Sequence, residues 1–340
     1  MEIIKSNNGF PHAWKAGRIE LLIRSILEDK VKSQLNVDRV MLINPTWMHE
    51  SNLINDIKQT SPDFIICYNF VDPAIPKVFD AIETSGIPYL ILGNAEQFRL
   101  DFWAIVSDIY FRNYQPGDIT LYPDARKFIC LNRKPHPHRV NLVTQLQPFV
   151  NEGFISLGLP GTDAIILDST FSEDQGILDE YQALGLEETD VSCIIRNDIF
   201  SLGDLNYWNR ACLCLVTETE FSNYNSNNFF ISEKTWKPII GMRPFFIYGQ
   251  PKLREYLKNN GFDIFEDIFD YSIVDDNSEY SYMQQNQYAQ VAITTIKNLI
   301  DPVEYLQQNI DRLQKNKDRF YQYAHEQWVN LYNLDLTKYV

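Results

Sequence analysis

The chain is expected to be α/β, with two Rossmann-like domains facing a cleft. Three observations carry that expectation. Short apolar runs alternate with helix-length stretches, as in parallel sheets covered by helices on both faces. The alternation occurs in two blocks, separated by a stretch holding Pro116, Gly117 and Pro123, which mark a linker. At 340 residues, the chain is long enough for two ordinary domains.

In the first block, residues 19–30 read as a helix. The runs 39–44, 63–68, 88–92 and 104–111 read as four strands, with a helix at 75–85. In the second block, 127–131 reads as a strand and 139–149 as a helix. Residues 153–157 are a strand or an apolar loop. The stretch 161–186 mixes acidic residues with Gly and Ser and reads as a surface insertion. Strands follow at 211–217 and 244–248, then a helix over 252–260 stopped by Gly261. The acidic segment 263–282 reads as an exposed connection. Residues 303–333 read as one long helix, with Leu306, Ile310, Leu313, Phe320, Tyr323, Ala324 and Trp328 among its apolar positions. The expected domains are 1–125 and 126–305, with the helical segment 306–340 closing one domain or packing back across both.

Composition narrows the function. Net charge is −15, a poor match for duplex DNA, whose phosphates reward Lys and Arg. The 19 Tyr and 21 Phe either line a ligand cleft or fill cores, and burial of large rings favours the core. The five cysteines are Cys67, Cys130, Cys193, Cys212 and Cys214, with no C-x-x-C. Neither a disulfide framework nor a zinc site is expected, and no metal. Residues 1–9 are polar and lack an apolar leader core, and no apolar run is long enough to span a membrane. A cytoplasmic location follows as the expectation, the host cytoplasm if the source is a virus.

Four segments, each following a strand, carry the candidate chemistry. The most informative is Ser232-Glu233-Lys234-Thr235, with Ser232 as helix cap and the charges in the first turn. Unpaired N–H groups there favour an anion. Lys234 suits a diphosphate and Glu233 a ribose hydroxyl. An ordinary capped helix with solvated charges is the plain alternative. The second segment holds Arg133, Lys134 and Arg139, three cations in seven residues, which suit a diphosphate or make a basic turn. His136 and His138 lie within it, too few for a metal site by themselves. The third segment leaves a strand at Thr217 and runs into an Asn-rich loop, 222–228, with Asn227, suited to a lid; its Glu218 is either placed to hold a sugar hydroxyl or part of a solvated acidic turn. The fourth, Gly93-Asn94-Ala95-Glu96, offers Glu96 as a general base, with Asp72 as a rival and a surface Glu at a helix start as the plain alternative.

In order and spacing these segments resemble the α1,3-fucosyltransferase family of GT-B glycosyltransferases. Phe230-Ile231-Ser232-Glu233-Lys234 is similar to that family's Y-[IV]-T-E-K segment. Val216-Thr217-Glu218-Thr219 stands at its acidic-polar turn, and Arg243-Pro244-Phe245-Phe246-Ile247-Tyr248-Gly249 at its strand ending in Gly. Residues 127–139 are similar to the start of its donor domain. Where the family has Gly directly before its proposed base, Asn94 and Ala95 intervene here.

The resemblance implies that 1–125 receives the acceptor, that 126–305 binds the donor, and that the final helix, 306–340, crosses back to the first domain. It implies a nucleotide-sugar donor, GDP- or UDP-linked, with no cofactor. Arg139 and Lys234 would contact its diphosphate, Glu233 its ribose, and Glu218 the sugar. Arg133, Asn227 and Ser232 complete the expected donor set. Glu96 would deprotonate an acceptor hydroxyl for inverting, metal-independent transfer. Two alternatives stand beside it: a phage-type DNA-base glycosyltransferase, and a non-catalytic nucleotide- or glycan-binding module.

Overall fold

The structure, a computed structural model, describes residues 1–5, 15–44, 50–68, 76–93, 98–111, 122–132, 135–157, 202, 205–219, 221, 230–250, 252–274 and 282–340. The chain forms two compact units. The first comprises Met1–Ile109, Tyr224–Ser232 and Tyr321–Val340; the second comprises Tyr110–Asn223 and Glu233–Phe320.

The first unit is built on a parallel five-stranded sheet in the order β1-β2-β3-β4-β5. Its strands are β1 (Glu2–Lys5), β2 (Arg39–Ile43), β3 (Phe64–Tyr68), β4 (Tyr89–Gly93) and β5 (Phe98–Arg99). The helices α1 (Lys15–Gln34), α2 (Glu50–Thr60) and α3 (Pro76–Thr84) lie between them in sequence. Side chains alternate across a strand. Met41, Ile43, Ile65, Cys67 and Ile91 pack with Leu53 and Ile57 of α2 and with Val78, Phe79 and Ile82 of α3. The intervening Val40, Leu42, Phe64, Ile66, Leu90 and Leu92 are equally buried. Both faces are therefore covered, which is why these strands read as unbroken apolar runs. Each such side chain contributes about 1.5–3 kcal/mol.

Residues 104–111 correct the expectation of a fourth strand: they belong to helix α4 (Phe102–Phe111). Asp101 starts this helix, its Oδ1 accepting from the Ala104 N–H at 2.9 Å and its carbonyl from Ile105 at 3.3 Å. Nearly every described side chain of the helix is buried, so no polar face gives it a period.

The end of the chain packs on this unit. Tyr323 lies 3.3 Å from Asp101 Oδ2 through its hydroxyl, and Gln327 Oε1 accepts from the Asp101 N–H at 3.0 Å. Lys30 of α1 donates to the carbonyls of Tyr332 and Leu334 at 2.7 and 2.9 Å.

The second unit holds a parallel four-stranded sheet in the order β7-β6-β8-β9. The strands are β6 (Arg126–Asn132), β7 (Gly153–Leu157), β8 (Ala211–Thr217) and β9 (Phe245–Tyr248). From β6 the chain passes through α5 (Pro137–Leu146) to β7 on one side. It then returns to β8 on the other side, so strand order reverses between β6 and β8. Short α6 (Leu205–Trp208) precedes β8, and α7 (Glu233–Ile240) leads into β9. Beyond β9 come α8 (Leu253–Asn259), α9 (Tyr282–Asn298), α10 (Pro302–Gln308) and α11 (Ile310–Asn333).

Arg243, fully buried in the turn between α7 and β9, donates to the carbonyls of Ala211, Gly241, Met242 and Trp208 at 2.7–3.1 Å. The aromatic residues fill this core. Phe246 stacks on Tyr271 with centroids 5.7 Å apart, and Tyr248 on Tyr288 at 5.0 Å. The Arg254 guanidinium lies over the Tyr271 ring at 4.0 Å.

Two further expectations are corrected here. The helix expected at 303–333 is two helices, broken at Asn309. The Asn309 side chain donates back to the Tyr305 carbonyl at 2.9 Å and accepts from Arg312 at 2.8 Å. The start of the expected exposed connection is core: Phe265, Phe269 and Tyr271 are buried. Its acids are surface anchors, with Arg312 bonded to both Asp263 and Asp267. The expected insertion at 161–186 lies outside the described residues. Cys67, Cys130, Cys212 and Cys214 are all free thiols, and burial pushes Cys130 and Cys212 up to about 12. Among the described residues, no helix is long and apolar enough to cross a membrane.

Candidate functional site

In open parallel sheets, ligands bind outside the carboxyl ends of the strands where strand order reverses. In the second unit that point lies between Asn132, the last residue of β6, and Thr217, the last of β8. Their side chains are joined, the Thr217 hydroxyl donating to Asn132 Oδ1. Ser156, on β7, accepts from the Asn132 N–H through its hydroxyl at 3.1 Å. The edge is thus a fixed polar layer.

Helix α5 starts above this layer. Pro137 stands in its first turn, where no N–H is needed and φ is already set. The first turn brings in His138 and Arg139, both buried. Arg139 donates through a terminal guanidinium nitrogen to the Thr217 carbonyl at 3.2 Å. His138 Nε2 lies 2.9 Å from the Glu218 carbonyl; a carbonyl only accepts, so the proton sits on Nε2. The imidazole stacks on Phe221 and meets Tyr248 edge-on, at 5.5 and 5.4 Å. Burial holds its pKa well below the ordinary value. The nearby Arg139 and His136 add to that, and the Glu218 hydrogen bond opposes it.

Helix α7 supplies the charged wall. Ser232, buried, immediately precedes it in the chain. Glu233 and Lys234 occupy the first turn, with Lys234 Nζ 3.1 Å from Glu233 Oε1 and 3.4 Å from Thr219 Oγ1. The Glu233 side chain is only 2% exposed, while that of Lys234 is 19% exposed. Burial alone would raise the Glu233 carboxyl. The charges of Lys234 and Lys237, with hydrogen bonds from Lys234 and the backbone, overcome it and hold the group below its ordinary value.

Thr235 donates to Glu218 Oε1 at 2.5 Å, and both residues are fully buried. Gly249 passes close beneath: a Cβ there would lie 3.2 Å from Glu218 Cβ.

Of the sequence-predicted residues, Arg139, Glu218, Glu233 and Lys234 come together at the reversal. Glu218 and Arg139 are drawn into the protein's own hydrogen bonds rather than standing on an open turn. Glu96, Arg133 and Asn227 lie outside the described residues, as does Asp72. Sequence reading missed Asn132, Thr217, Thr219 and Thr235 as site residues, and weighed His138 only as a metal ligand. The signal for Thr235 was present: it shares the first turn with Glu233. Nothing in the sequence reveals the Asn132–Thr217 pairing, because strand order decides it.

The fold class is thus two parallel, Rossmann-like α/β units, the second with a charged carboxyl edge at its strand reversal. Compared with models of known protein families and with curated proteins, the chain matches neither.

Proposed function

We propose that the chain is a glycosyltransferase of the GT-B type, moving a sugar from a nucleotide-sugar donor to an acceptor hydroxyl by inverting, metal-independent transfer. One observation carries this reading. The Glu233–Lys234 pair on α7 stands beside the strand reversal of the second sheet, where a parallel α/β sheet receives a nucleotide. In this proposal Lys234 stabilises the leaving diphosphate as negative charge develops. Arg139 holds the Thr217 carbonyl and adds positive charge to the same edge. The similarity to the α1,3-fucosyltransferases supports the assignment, and Glu96 keeps its proposed role as general base.

The test is a thermal-shift panel with UDP, GDP, ADP and CMP. One nucleotide should stabilise the protein clearly, since a ligand at about 100 times its Kd adds roughly 2.7 kcal/mol. Lys234→Ala should abolish the shift. No response to any of the four refutes the donor reading.

A further inference from the structure

Within this donor-site reading, on which the inference rests, the charged wall divides unequally between its two members. The Glu233 side chain is 2% exposed and the Lys234 side chain is 19% exposed. Of this pair, the Lys234 side chain is therefore the more accessible to solvent. Thr219, half-buried just beyond β8, places its hydroxyl oxygen 3.4 Å from the same ammonium. Lys234 is thus held from two sides: by a buried acid of its own helix, and by a hydroxyl from the strand-end turn. A phosphate oxygen reaching Lys234 also comes within reach of the Thr219 hydroxyl, which can turn to donate to it.

We propose that Lys234 and Thr219 together receive the ligand's diphosphate, and that Glu233 stands behind Lys234 as its counter-charge and touches no ligand. This reverses the role expected of Glu233, a ribose contact. It also adds Thr219 as a binding residue. A buried carboxyl beside the ammonium weakens its pull on an arriving anion, because the two negative groups share one cation. Glu233 therefore sets the affinity of the site without choosing among nucleosides.

The experiment compares inorganic diphosphate with GDP and UDP by titration calorimetry on the full chain, with circular dichroism to check folding. Lys234→Ala should weaken diphosphate binding at least about tenfold. Thr219→Val should weaken diphosphate and nucleotide by the same factor, roughly three- to tenfold. Glu233→Gln should tighten both ligands by a shared factor of roughly three to ten. A loss in Glu233→Gln confined to the nucleotide, with diphosphate unaffected, would show a ribose contact and overturn the proposal while leaving the donor reading intact. Diphosphate binding without any nucleotide binding would uphold the anion site and defeat the donor reading. Binding of neither by the parent protein defeats both. Should Glu233→Gln fail to fold, Thr219→Val decides: unchanged diphosphate affinity overturns the proposal.

Discussion

The Thr235 hydroxyl donates to Oε1 of Glu218 across 2.5 Å, tying the first turn of α7 to the residue that leaves β8. A helix and a strand end are thereby fixed to each other inside the site. Thr235→Val keeps the side-chain shape and removes the donor from a fully buried acid. A loss of about 2–3 kcal/mol is expected in urea unfolding. Thr235→Ser, which keeps the hydroxyl, should lose less than half of that.

His138 makes stability depend on pH. Its folded pKa lies well below the ordinary 6.5, so the unfolded chain binds a proton before the folded one does. The stabilisation is fully present above pH 6.5 and is lost as pH falls toward the folded value. At pH 5.5, below the ordinary value, the protein is therefore expected to be less stable than at pH 7.5. Urea unfolding at pH 7.5 and 5.5 should show that difference, and His138→Gln should remove it.

A second acid limb belongs to Glu233. Its folded pKa is lowered from 4.5. The stabilisation is therefore complete above pH 4.5 and drains away as pH falls through the folded value. Glu233→Gln should flatten the acid side of the stability profile below pH 4.5 without changing its shape near pH 6.

Arg243 is a structural cation although it stands in the segment that resembles a glycosyltransferase motif. Its guanidinium joins four carbonyls of α6, β8 and the turn after α7. Arg243→Met leaves those acceptors buried without it. A cost of roughly 3–5 kcal/mol is expected, measurable as a lower thermal midpoint. Arg243→Lys should recover little, since an ammonium does not reproduce the planar fork.

Gly249 tests how closely β9 supports Glu218. A Cβ at this position would approach Leu253 Cδ2 to 3.1 Å and Glu218 Cβ to 3.2 Å. Gly249→Ala should cost about 1–2 kcal/mol. It should also weaken nucleotide binding if the donor reading is correct, a change visible by calorimetry.

Much of the architecture was legible in the sequence because buried parallel strands advertise themselves as apolar runs. RVMLI, FIICY and ACLCLVT form β2, β3 and β8. The same logic misread 104–111, since a helix buried all round is as apolar as a strand. The segment after residue 263 was misread for the opposite reason. Its acids dominate the composition, while Phe265 and Phe269 between them fill the core. In the site, the α7 charges were legible from their place in a helix start after a strand. The burial of Glu218 was not, because it depends on Thr235 and Gly249, which only tertiary packing brings beneath it.

Helix α11 carries a consequence for how the molecule is made. Its residues through Phe320 belong to the second unit, and those from Tyr321 onward to the first. Lys30, Asp101 and their neighbours therefore meet their partners only after the whole intervening unit has been synthesised. The first unit thus has segments both before and after the second in sequence. A fragment ending at residue 109 leaves the Asp101 side of α4 and the Lys30 ammonium without Tyr323, Gln327 and the carbonyls of Tyr332 and Leu334. Dissecting this protein into halves thus calls for joining both Tyr224–Ser232 and Tyr321–Val340 back to Met1–Ile109, rather than for a single cut.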